Sequence, residues 1–297
     1  DATSYLSFSM NKTDASYVPD AVTAQRQWYN SKDARPYSET TYETGASGRP
    51  LSFMREGKVY ADSAVAVLHS YSINDGTEGV IKLTYTEPRS GVQAAMITPN
   101  GCYPANSLSV IRTVSEDCDT SLVFKDAQSR LLLSRKINGG TNHDTYYVYN
   151  LRDSLACVVQ PEGSALLSPS SAAFSLEGEF SDKWCFTYEY DAWGNIVMRH
   201  VPGGGKQYYI YDARDRQVLS TNSELMSKGW WRYSEYDALN RITEEGLCKL
   251  EAGVTLSDLM GSVPQITDYS EYITGEVILH TLSYQDGVSQ SQNGFTP

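Results

Sequence analysis

At 297 residues, 40% of them hydrophobic, the chain is long enough for one large or two ordinary domains and carries ample material for a buried core. Its 22 tyrosines favour half-buried pleated surfaces over helices. A net charge of -12, from 36 acidic against 24 basic residues and with no Lys/Arg cluster, argues against nucleic acid as a partner, because phosphate binding needs a basic face.

Five cysteines are present, Cys102, Cys118, Cys157, Cys185 and Cys248. None stands in a Cys-x-x-Cys spacing, so zinc-ribbon and thioredoxin-like readings lack support. An odd number cannot pair completely; Cys102 and Cys118 could bridge if their strands are adjacent, whereas a free cysteine acts as a small buried hydrophobe. No apolar stretch approaches the ~20 residues that span a bilayer, and the N-terminus lacks the basic and apolar regions of a signal peptide.

Residues 1–25 read as a strand or an extended arm that includes the formal sequon Asn11-Lys12-Thr13. Asp20 to Tyr29 suits a short helix or a strand, with strand preferred. Two turn-like segments follow, Trp28 to Pro36 and Tyr42 to Leu51, each with Arg-Pro after the turn. Alternating runs from Ala64 to Ser72 and from Val80 to Tyr85, separated by Asn74-Asp75-Gly76, predict a hairpin.

From Thr120 a strand, turn, strand pattern recurs. Its turns are Asp126-Ala127-Gln128-Ser129-Arg130, Asn150-Leu151-Arg152-Asp153-Ser154, Asp191-Ala192-Trp193-Gly194-Asn195, Asp212-Ala213-Arg214-Asp215-Arg216 and Asp237-Ala238-Leu239-Asn240-Arg241. The last three follow Tyr190, Tyr211 and Tyr236 at spacings that belong to repeat architecture. Asn138-Gly139-Gly140 adds a tight turn, and 160–175, rich in Pro, Ser and Ala, interrupts the series as a lid, a spacer or a disordered loop. Thr255 to Met260 has helical spacing with Thr255 or Ser257 as cap. These features divide the chain into an N-terminal β region (1–118), a repeat region (119–250) and a short helix with terminal strands (251–297). The polar ending on an unfinished pattern suggests a piece cut from a longer protein.

With period-2 alternation, Tyr149, Tyr190, Tyr211 and Tyr236 share a sheet face with Tyr147, Tyr188, Tyr209 and Ser234. Tyr146, Thr187, Tyr208 and Tyr233 lie on the opposite face. Asp126, Asp191, Asp212 and Asp237 read as turn-formers, each accepting a backbone N–H two residues on. The same placement in every copy suits that role better than a row of catalytic carboxylates.

The pattern resembles the YD-repeat, or Rhs, proteins, whose motif is tyrosine-aspartate, two variable residues, glycine, then arginine or asparagine. Wider stretches such as Arg35 to Glu43, Tyr103 to Leu108, Asn142 to Tyr149 and Tyr208 to Asp212 are similar to the N-terminal part of large YD-repeat cell-surface proteins of Bacteroidetes. The resemblance covers about Gln25 to Gly246. It implies an all-β fold of successive antiparallel hairpins in an extended, twisted or spiralling sheet with one or two short helices. It further implies an exported, very large parent whose remaining repeats are this segment's partners. The core segment that precedes the toxin in shell-forming relatives has no counterpart here, so encapsulation is not implied.

No nucleophile elbow, zincin helix, phosphate loop or dinucleotide fingerprint occurs, and no cofactor or metal is expected. His143-Asp144 is the one adjacent pair with acid-base character, and its plainer reading is a polar turn. Trp230, Trp231, Tyr233 and Tyr208 are the candidate aromatic platform for a sugar ring, with at most one of the adjacent tryptophans on a given surface. The expected function is therefore a non-catalytic structural or interaction module. The alternatives are a carbohydrate-binding module, with a glycan or another surface protein as partner, and a glycoside hydrolase.

Overall fold

The structure, a computed structural model, describes residues 2–5, 37–62, 65–88, 94–261 and 273–282. The sequon at Asn11, the segment Asp20 to Tyr29 and the turn from Trp28 to Pro36 lie outside the described residues.

The first elements are the strands β1 (Ala2–Tyr5), β2 (Tyr37–Tyr42) and β3 (Pro50–Met54), the helix α1 (Lys58–Asp62), and the strands β4 (Val67–Ile73), β5 (Ile81–Thr86) and β6 (Met96–Cys102). Strands β7 (Ser109–Val114), β8 (Thr120–Lys125), β9 (Leu131–Asn138), β10 (Thr141–Tyr149) and β11 (Leu155–Val159) follow. Next come helix α2 (Pro161–Ser164), strand β12 (Phe174–Ser175), helix α3 (Glu179–Trp184) and strands β13 (Cys185–Tyr190), β14 (Ile196–Val201), β15 (Gly205–Tyr211) and β16 (Gln217–Asn222). Helix α4 (Ser223–Ser227), strands β17 (Trp230–Tyr236) and β18 (Ile242–Leu250), helix α5 (Leu256–Gly261) and strand β19 (Ile273–Leu282) complete the described chain. The fold is all-β, built from antiparallel strands with short helices between them. No helix among the described residues is long and apolar enough to cross a membrane.

Two compact units are present, and neither is a single run of sequence. One comprises Asp1–Lys82, Asn100–Tyr146 and Ser168–Ser170; the other comprises Leu83–Pro99, Tyr147–Leu167 and Ser171–Pro297. The first carries the strand order β1-β2-β3-β4-β7-β8-β9-β10 and the second β11-β13-β14-β15-β16-β17-β18-β19. A smaller sheet has the order β12-β6-β5.

The hairpin expected across Asn74-Asp75-Gly76 does not form: β4 pairs with β7, and β5 joins the smaller sheet. The reason is Asn74, which is buried rather than at a wet turn tip. Its side chain donates to the Pro104 carbonyl at 2.8 Å and accepts the N–H groups of Ser107 and Leu108 at 2.9 and 2.8 Å. A side chain that satisfies three backbone groups of another segment fixes the chain's exit from the sheet. Elsewhere Asn138 faces Thr141 across Gly139 and Gly140, both at positive φ, as a two-residue hairpin requires.

Several return strands carry a bulge just after the turn. Tyr190 pairs with Ile196 and Glu189 with Met198, which leaves Val197 as the extra residue. Val218 has the same place between Gln217 and Leu219, Leu132 between Leu131 and Leu133, and Thr243 between Ile242 and Glu244. A bulge breaks strict alternation, so two neighbouring side chains face inward. Leu132 and Leu133, Val197 and Met198, and Val218 and Leu219 are all buried as adjacent pairs. In the second unit Val218 and Leu219 belong to a core with Ile210, Trp231, Tyr233, Cys248 and Leu259.

The insertion 160–175 is ordered by α2 and β12, with Phe174 opposite Ile97 of β6. Helix α5 begins after Thr255, whose hydroxyl accepts the Asp258 N–H at 3.2 Å while Asp258 accepts the Thr255 N–H at 2.8 Å. Cys102 and Cys118 are free and exposed, and Cys157, Cys185 and Cys248 are free and buried.

Candidate functional site

The five turns from Asp126, Asn150, Asp191, Asp212 and Asp237 share one backbone plan. The first residue's N–H donates to the fifth residue's carbonyl, and the fourth residue's N–H donates back to the first carbonyl, at 2.8–3.4 Å in all five. The fourth residue is left-handed: Ser129, Asp153, Gly194, Asp215 and Asn240 have φ of 65°, 60°, 95°, 57° and 62°. This is a type I turn closed by a left-handed residue, a conformation open to Gly, Asn and Asp and costly for bulkier residues.

Side chains then clasp the backbone. Asp212 Oδ1 accepts the N–H groups of Arg214 and Arg216 at 2.8 and 3.1 Å, and its Oδ2 accepts Arg216 Nε at 2.7 Å. Asp237 repeats this with Leu239 and Arg241 at 2.8 and 2.9 Å, and with Arg241 Nε at 2.6 Å. Asp126 does so with Gln128 and Arg130 at 3.0 and 2.9 Å, and with Arg130 Nε at 2.7 Å. Asp191 binds the N–H groups of Trp193 and Asn195, both at 2.9 Å, with the Asn195 side chain in place of arginine. Asn150 keeps the two backbone bonds alone, to Arg152 and Ser154 at 2.9 Å.

Burial acts to raise the Asp212 carboxyl, but the Arg216 side chain and the Arg216 and Arg214 N–H groups overcome it and hold it below the ordinary range. At Asp237 the Arg241 N–H and guanidinium are the leading causes of the same shift. A carboxylate whose oxygens are committed to three donors is not poised to move protons.

Neighbouring strands are joined by the tyrosines that precede three of these turns, those from Asp191, Asp212 and Asp237. Tyr211 donates to the Ile196 carbonyl at 3.1 Å and Tyr236 to the Gln217 carbonyl at 2.8 Å. Each acceptor directly precedes a bulged residue, where the ladder is disturbed and a carbonyl needs a donor. Tyr190 reaches the Leu155 carbonyl at 2.9 Å, and Tyr71 reaches that of Pro50 at 2.9 Å. Above Tyr236 lies the Arg216 guanidinium, 4.9 Å from the ring centroid. Arg152 and Arg216 donate to the Asp191 and Asp237 carbonyls of the next turn, each at 3.4 Å.

The aromatic platform is not assembled. Trp231 and Tyr233 are 5% and 3% exposed and belong to the core, with Trp231 opposite Cys248 and Tyr233 opposite Gly246. Trp230 is half-buried, with the Lys249 ammonium 4.9 Å from its ring centroid. Tyr208 is half-buried and stands opposite Met198 on one side and Thr221 on the other. Alternation along β17 sends two of the four rings inward, so no sugar-stacking surface contains all of them. Asp144, paired with His143 in the sequence reading, is gripped instead by Arg135, with two contacts of 2.7 Å.

A feature with no local motif is a cleft of about 410 Å³ in the second unit. Its walls include Tyr85, Glu87, Arg152, Glu177, Tyr188 and Glu189, which come from well-separated segments. Lys206 lies beside it, its ammonium 2.8 Å from Glu177 Oε1. Although Glu189 is open to solvent by residue surface, desolvation raises its carboxyl above the ordinary range; Lys206 opposes this and Glu177 adds to it.

No family model matches this chain, and no curated protein matches it. Among solved structures, the crystal structure of TcdB2-TccC3 aligns over 73% of this chain and 11% of that one, at 11% identity and a TM-score of 0.39. The Photorhabdus luminescens Tc holotoxin pore aligns over 74% and 11%, at 12% identity and a TM-score of 0.39. The chain thus spans about a tenth of the length of these structures, and likeness at this level carries no argument about activity.

Proposed function

We propose that this chain is a non-catalytic scaffold segment of YD-repeat type, part of a large exported surface protein whose further repeats continue the hairpin series. The observation that carries this reading is the repeated clasp and latch. Aspartates that resemble a row of acids spend their oxygens on turn N–H groups and arginine, and each latching tyrosine fastens one hairpin to the one before it. Such a unit stiffens a sheet by local bonds that are repeated along it, which is what a long repeat protein requires.

Purified protein applied to a glycan array and to chromogenic glycosides is expected to give neither saturable binding nor turnover. A glycan bound by the parent protein and lost in Trp230→Ala would replace the scaffold reading with carbohydrate binding.

A further inference from the structure

We propose that the cleft bounded by Tyr85, Tyr188 and Glu189 binds a primary ammonium on an apolar stem, the chemistry shared by a free alkylamine and a lysine side chain. This goes beyond the scaffold reading and stands on separate residues.

Size comes first: about 410 Å³ is a small-ligand volume. Charge comes next. Glu87, Glu177 and Glu189 contribute three carboxylates to the walls, against Arg152 on the lining and Lys206 beside it. Lys206 is bound to Glu177, and Arg152 donates to the Asp191 carbonyl at 3.4 Å. Among the described residues, Glu87 and Glu189 make no hydrogen bond or ion pair. Among the described residues the three carboxylates therefore exceed the two cations by one, and one of them, Glu177, already holds an ammonium, that of Lys206.

The rings decide between cations. Tyr85 shares the lining with Glu87 and Glu189, and after burial these two carboxylates raise its phenol. Tyr188 adds a second aromatic ring to the lining. Aromatic faces next to a carboxylate suit an organic cation, whose stem packs on the rings while its head meets the charge. A divalent metal ion would need converging hard ligands, and no group of three or more His, Cys, Asp or Glu side chains among the described residues forms such a set. A neutral sugar would bring no counter-charge to Glu87 and Glu189, and the three carboxylates of the lining disfavour an anion. The net charge of -12 draws cations to the whole chain.

The test is calorimetric titration of the full chain at low ionic strength with 1,5-diaminopentane and with Nα-acetyl-lysine methylamide, using 1-pentanol and cellobiose as neutral controls. Saturable binding of either ammonium probe is expected, weakened about tenfold in Glu189→Gln and unchanged in Glu251→Gln, an exposed site away from the cleft. Binding of the diamine alone assigns the site to free amines, and binding of the lysine probe alone assigns it to protein side chains. Tyr85→Leu, which removes the ring and keeps every carboxylate, is expected to weaken binding as well and serves if Glu189→Gln fails to fold. Absence of saturation, equal loss in Glu189→Gln and Glu251→Gln, or cellobiose binding that survives Glu189→Gln would overturn the proposal.

Discussion

Gly246→Val is expected to lower folding stability by about 3 kcal/mol or more, read as a shift in the urea midpoint with an unchanged slope. Gly246 is buried in β18, directly opposite Tyr233 of β17. A Cβ at this position would lie 2.7 Å from Tyr233 Cε1, 3.0 Å from its hydroxyl oxygen, and closer still to the Ile278 carbonyl oxygen. Tyr233 cannot swing away cheaply, because it is 3% exposed and its hydroxyl donates to Glu244. The Ile278 carbonyl belongs to the backbone of β19, so relief there would disturb strand pairing. Glycine in a strand commonly marks this kind of close approach. Gly204→Ala is the control: its nearest contact would be Val201 Cβ at 3.4 Å, and the expected change is within about 0.5 kcal/mol.

Asp212→Ala is expected to cost about 3 kcal/mol, because it removes three hydrogen bonds and leaves the Arg216 guanidinium without its carboxylate. Asp237→Ala is expected to cost less, since its partner Arg241 is 58% exposed against 20% for Arg216. The pH dependence follows from the depressed Asp212 carboxyl. A group whose folded pKa lies below its unfolded value stabilises the fold above the unfolded value and loses that contribution as pH falls through the folded one. The gap between parent and Asp212→Ala should therefore be constant near neutral pH and shrink below about pH 4, in urea titrations repeated across that range. A gap that widened on acidification would contradict the clasp.

The turns could be read from the sequence because their chemistry is local. Aspartate at the first position, a residue tolerant of positive φ at the fourth and arginine or asparagine at the fifth are all visible within five residues. The bulges could not be read this way: Ile196-Val197-Met198 and Gln217-Val218-Leu219 look like ordinary strand starts, and only pairing with the partner strand reveals the extra residue. That is also why alternation placed the tyrosine columns on one sheet face but could not show their hydroxyls latched to carbonyls next to bulges. Asn74-Asp75-Gly76 carried a hairpin signal that tertiary bonds from Asn74 to Pro104, Ser107 and Leu108 override. The cleft was invisible for another reason. Tyr85, Glu177 and Glu189 are about a hundred residues apart at the extremes and share no spacing rule. In β17, alternation alone could not say which of Trp230 and Trp231 faces inward; the register with Cys248 places Trp231 there.

The central claim, that the repeated aspartates hold turns, is tested most directly by residue-resolved amide hydrogen exchange of the unmodified protein. The N–H groups of Gln128, Trp193, Arg214 and Leu239 sit at exposed or partly exposed turn tips, and each donates to the aspartate two residues before it. Protection of these four amides, roughly tenfold or more over unstructured rates, is the expected result. Exchange at the unstructured rate in all four would show that the clasps do not form in solution and would contradict the claim.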